Sequence, residues 1–209
     1  MIMARFHMVG FLALAAASAQ AQPSTAPAGI NPSPDTAEQR QSLRTLASCL
    51  ARARPQWARQ TLSHPYLSQA QADAAAEALS GRDNCIQGDA AEVTFRNSSL
   101  IGSLAEYYLE TGIGRADQRQ LATTLAGLTP LNVSEDFALC LAARNPAEAR
   151  NLALSAPGSD VEARAAQRIA RSVGPCTAEG ERLTVDLQSL RALTSVALYR
   201  GLTTLIAAR

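Results

Sequence analysis

The chain has 209 residues, 47 % of them apolar, which fits one domain or two small ones packed together and excludes a wholly disordered protein. Its 19 basic residues are all Arg and stand against 18 acidic ones, so there is no electrostatic case for nucleic acid or an anionic membrane surface. With no Lys at all, Schiff-base and P-loop chemistry are excluded, because both need the amine.

Residues 1–21 read as a cleaved signal peptide. Arg5 and His7 mark a polar start, residues 8–17 are an apolar run, and Ala19-Gln20-Ala21 is a small-x-small cleavage site. The run is shorter than the roughly 20 residues a bilayer span needs. The expectation is therefore a periplasmic or secreted protein with no membrane span after cleavage. Residues 22–35 are rich in Pro, Ser and Ala, without periodicity, and read as a flexible linker.

From residue 36 onward the pattern is helical. Aromatics are 4 % of the chain and Ala supplies much of the apolar count, which points to closely packed helices. Leu43, Leu46, Ala47, Leu50 and Ala51 make one helical stripe. Pro55 suits the first position of a second helix. Ser68 with Gln71 has the spacing of a capping box, opening a third helix that ends about residue 80. A fourth is expected over about 98–110. Gly112 and Gly114 then break the chain before a connecting helix within residues 113–130.

The pattern then recurs. Cys49-Leu-Ala-Arg-Ala-Arg-Pro55-Gln-Trp-Ala-Arg59 returns as Cys140-Leu-Ala-Ala-Arg-Asn-Pro146-Ala-Glu-Ala-Arg150, an offset of 91 that also carries Cys85 to Cys176. Asn145 with Pro146 and Glu148 reads as a cap and first turn. Ser159 opens a helix carrying Val161, Ala165, Ile169 and Val173, and a last helix runs from about 186 towards 206. The expected fold is all-α: two similar four-helix units from an internal duplication, helical repeat 1 over residues 36–112 and helical repeat 2 over 131–209, packed into a compact bundle.

Four cysteines in an exported chain are expected to oxidise, and they allow three pairings. A duplicated unit keeps its own staple, which favours Cys49–Cys85 and Cys140–Cys176. Closing a loop of about 37 residues contributes roughly 3–4 kcal/mol in the chain-entropy model. The rival use of these cysteines, redox or metal chemistry, finds no C-x-x-C and only one histidine after the leader, His64.

Catalytic signals are sparse. There is no G-x-S-x-G elbow, and His64 lies in a turn before Pro65. Glu106 with Glu110, and Asp73 with Glu77, are carboxylates four apart, a spacing more usual on a solvated helix face than in a hydrolase cleft. No cofactor and no metal site is expected. Two sequons, at Asn97 and Asn132, read as incidental. Aromatics are uneven: Trp57, Tyr66, Phe95, Tyr107 and Tyr108 fall in the first repeat, against Phe137 and Tyr199 in the second. Aromatic side chains anchor interfaces, so Trp57, His64, Tyr66 and Tyr108 are the candidate binding residues.

The Cys-Leu…Pro-x-x-Ala-Arg start and the Leu104 to Tyr108 and Leu193 to Tyr199 endings resemble uncharacterised exported helical proteins of Gram-negative bacteria with a duplicated two-cysteine module, over about residues 40–205. Such proteins have no assigned activity, so the resemblance implies no functional residues. The expectation is a non-enzymatic periplasmic binding or interaction protein, whose partner is an envelope protein or a cell-wall component. One alternative is a carboxylate-dependent hydrolase acting on a cell-wall polymer. A third is a structural or stress-related envelope protein.

Overall fold

The computed structural model describes residues 30–31, 35–80, 85, 96–112, 116–178 and 183–208. The leader, most of the linker and Phe95 lie outside the described residues. Among those residues the fold is all-helical, with α1 (Ala37–Ala53), α2 (Pro55–Ser63), α3 (Gln69–Ser80), α4 (Asn97–Gly112), α5 (Gln118–Gly127), α6 (Val133–Arg144), α7 (Pro146–Leu154), α8 (Asp160–Ala170) and α9 (Leu187–Ala207). No helix among them is long and apolar enough to cross a membrane. Two residues of the segment read as a flexible linker, Ile30 and Asn31 (β1), pair in parallel with Val185 and Asp186 (β2).

Most helix starts form where the side chains can satisfy free backbone N–H groups. Thr36 and Gln39 make a reciprocal capping box at α1, Asp117 caps α5, Asn132 caps α6, Ser159 caps α8 and Asp186 caps α9. Two expectations need correction. Asn145 makes no cap to α7; its amide donates to the Leu141 carbonyl and its oxygen accepts from Ser172. The Gln71 N–H donates to the Ser68 hydroxyl as expected, but its side-chain oxygen accepts from the N–H of Leu67, not from that of Ser68.

Helices α4 and α9 form the centre. Their contacts advance together, Arg96 against Asp186, Gly102 against Ala192 and Gly112 against Leu202, so the two run parallel. A Cβ on Gly102 would stand 2.5 Å from that of Ala192, so only glycine admits this approach. Buried residues occupy α9 almost without interruption from Gln188 to Leu202, the mark of a core helix. Around this pair pack Leu50, Leu141, Leu152 and Ile169, all buried. Val161, expected on the buried stripe of α8, is exposed because the buried face of that helix is centred on Glu162, Ala165, Ala166 and Ile169, and Val161 lies to one side of it.

Both expected disulfides are present. Cys49–Cys85 and Cys140–Cys176 each join residues 36 apart, with Cα atoms 5.7 Å apart. Backbone geometry also recurs at the 91-residue offset. Arg54 and Asn145 share φ of −133° with ψ of 63° and 54°, and His64 and Ser155 share φ near −70° with ψ of 151° and 153°. Among the described residues the left-handed ones are Leu67 (φ 61°) and Gly158 (φ 78°), again 91 apart.

Candidate functional site

Of the four candidate binding residues, Tyr66 is buried and Trp57, His64 and Tyr108 are half-buried. The Trp57 indole donates to the Ala74 carbonyl across α2 and α3, and the Tyr108 hydroxyl donates to the Pro55 carbonyl at the start of α2. His64 ends α2, its carbonyl accepting from Gln71. Tyr66 is only 1 % exposed, and burial raises its hydroxyl pKa against the pull of Arg96. Its ring fills the core and offers nothing to a partner. Tyr108 also packs edge-on to Tyr107 and obliquely on Tyr199, so the aromatics of the two halves meet.

Glu106 is not on a solvated face. It is 2 % exposed and accepts from Arg191 through Nε at 2.6 Å and Nη2 at 3.0 Å, while Arg44 Nε lies 3.0 Å from its second oxygen. Arg191, 1 % exposed, also donates to Glu162 at 2.9 Å and to the Ser155 and Ala153 carbonyls. Arg40 reaches the same Glu162 oxygen at 3.0 Å, and Arg44 pairs with Glu110 at the rim. Three guanidiniums and three carboxylates thereby join α1, α4, α8 and α9. Burial pushes the Glu106 carboxyl up, while Arg191 and Arg44 pull against it. Both its oxygens are engaged by guanidinium donors, and the carboxylate is removed from solvent. The other expected carboxylate pair is exposed, with Asp73 accepting from Gln69.

A second junction lies where the α2–α3 loop meets α6. The Glu135 carboxylate accepts from the Tyr66 N–H at 2.9 Å and the Leu131 N–H at 2.8 Å, and pairs with Arg200 of α9. Asn132 donates from Nδ2 to the Tyr66 carbonyl at 2.7 Å and accepts from the Glu135 N–H. This polar core carries an apolar exterior. Leu67 follows Tyr66, and Leu131 and Val133 flank Asn132; their exposures are 56 %, 55 % and 86 %. Pro130 beside them is exposed as well. The left-handed Leu67 is strained for a branched side chain, and Gly158 occupies the corresponding position without a side chain to strain.

A shallow, open depression of about 670 Å³ lies at the start of α5, bordered by Asp117, Arg119, Gln120 and Pro146. One oxygen of the Asp117 carboxylate there accepts the N–H groups of Arg119 and Gln120.

Sequence reasoning passed over Glu135, Leu67 and Arg191. Arg191 carried a usable signal: it interrupts an apolar helix that has no polar face, so its charge required a buried partner. Glu135 carried only the local one of standing three residues after the cap Asn132; its bonds to Tyr66 and Arg200 join residues 69 and 65 positions away. No family model, curated protein or solved structure matches the chain.

Proposed function

We propose that this is an exported, non-enzymatic interaction protein, built by duplication of a four-helix, one-disulfide unit, which meets a protein partner of the envelope through Leu67, Leu131 and Val133. The observation that carries this reading is the junction under those side chains. Large apolar groups are held outward by a buried carboxylate, Glu135, at the cost of a strained Leu67. Exposed apolar clusters on rigid supports are characteristic of contact surfaces. The removal of the leader would leave 18 Arg against 18 acids, which favours apolar over electrostatic recognition. Immobilised Glu106 argues against the cell-wall hydrolase.

Support for the duplication comes from matched detail at the 91-residue offset. The bonds Ser68 N–H to Pro65 and Ser159 N–H to Ala156 correspond, as do Leu67 N–H to the Gln71 side chain and Gly158 N–H to the Glu162 side chain. The leader and the two oxidised bridges support export.

A photo-crosslinking residue placed at Val133 tests the contact surface in cells exporting the protein, with exposed Ile206 as the control position. The expected result is a discrete adduct from position 133 that is lost in Leu67→Gly. That substitution suits the left-handed backbone and removes only the exposed side chain. No adduct at 133, or the same adducts from 133 and 206, would overturn the proposal.

A further inference from the structure

Helices α4 and α9 begin 90 residues apart, at Asn97 and Leu187, and residues at that same offset meet along the seam between them. Arg96 bonds Asp186, Gly102 approaches Ala192, and Gly112 approaches Leu202. On the duplication reading, on which this inference rests, the members of each pair are counterparts. Residues meet their own counterparts along a two-fold axis, and between parallel helices that axis runs lengthwise through the contact. The seam thus has the form of an interface between two copies of one unit. Yet the residues that meet on it are unlike: a cation with an anion, and twice a glycine with a larger side chain.

We propose that this seam is a two-fold dimer interface contained within one chain and made one-sided. Each half accepts the other half, its own or that of a second copy of this chain, and rejects its like. Two second halves would set Asp186 against Asp186 and Ala192 against Ala192. The backbones there are so close that a Cβ on Gly102 would stand 2.5 Å from that of Ala192. They would also set Leu202 against Leu202, where even a Cβ on Gly112 would lie 2.9 Å from the Leu202 Cδ2. Two first halves would oppose Arg96 to Arg96 and leave Gly102 and Gly112 facing glycine, with unfilled space between them. Off the axis, the buried pair of Arg191 with Glu106 adds the same preference. Their counterparts are Ile101 and Val196, both buried and apolar. Like pairing would set Arg191 against Val196, or Glu106 against Ile101, in place of each other, and breaking a buried ion pair in this way is costly.

Native mass spectrometry on the full chain, cut after folding, provides the test. A protease site inserted between Gly112 and Ala116 lets the oxidised protein be cleaved into its halves, each keeping its own bridge. Light and isotope-labelled preparations are then mixed in urea and diluted together. Expected are complexes of one first half with one second half, exchanged between light and heavy chains, with like pairs below about a tenth of unlike ones. Like and unlike pairs in comparable amounts overturn the proposal. Should the cut halves not reassemble, the uncut chain decides through Gly102→Ala, alone and together with Ala192→Gly. The single variant is expected to lower the urea midpoint and the double to regain most of the loss, because the methyl group has only changed sides of the axis. A double variant without recovery refutes the pairing of counterparts and the proposal with it. The Val133 crosslink reads the outer patch of a chain with its seam unaltered, so failure there and failure here are told apart.

Discussion

Arg191 joins two carboxylates and two carbonyls at the end of α7 from inside the core. Desolvating such a cluster offsets much of its Coulomb attraction, so its contribution is better judged by what breaking it costs. Arg191→Met leaves Glu106 and Glu162 buried with less compensation. The expected loss is about 3–5 kcal/mol in urea unfolding of the oxidised protein. Adding Glu106→Gln to that variant should recover part of the loss, because the stranded charge goes with it. A loss no larger than that of an exposed arginine such as Arg168 would show that the cluster is not structurally coupled.

Among the elements, the paired starts of α4 and α9 carry a defined pH dependence. Arg96 donates two bonds to Asp186, at 2.9 and 3.1 Å, and Asp186 caps α9 through the Ser189 N–H. Burial raises the Asp186 carboxyl, but the bonds from Arg96 and Ser189 outweigh it and hold the pKa down from 3.8 to about 2. A carboxyl depressed on folding stabilises the native state above its unfolded pKa and loses that contribution as the proton returns. Stability owed to Asp186 is therefore complete above about pH 4 and lost on acidification towards pH 2. Asp186→Asn should flatten the stability curve in that window relative to the wild type. An unchanged slope between pH 4 and 2 would refute the assignment. Helix ends of this kind were readable in advance at Ser159 and near residue 186, because an N-cap is a contact within three residues. Asn145 is no such cap because Ser172, 27 residues onward, donates to its oxygen.

At the scale of the molecule, each half is closed by its own bridge, so neither disulfide ties one half to the other. Replacing Cys49 and Cys85 by Ala, or Cys140 and Cys176, should cost about 3–4 kcal/mol in each case in the chain-entropy model. Equal losses from the two pairs, measured by urea midpoint, would match loops of equal length. A cost near zero for either would show that its half is held by packing alone. Helix class, most of the helix boundaries and the cysteine pairing could be read from periodicity, caps and the 91-residue recurrence. All of these depend on neighbours within a few turns, or on spacing along the chain. The burial of Glu106 and Tyr66, the parallel contact of α4 with α9 at Gly102, and the Glu135 junction could not. They join residues 60 to 90 positions apart, and only the packed arrangement decides which charge meets which carbonyl or N–H.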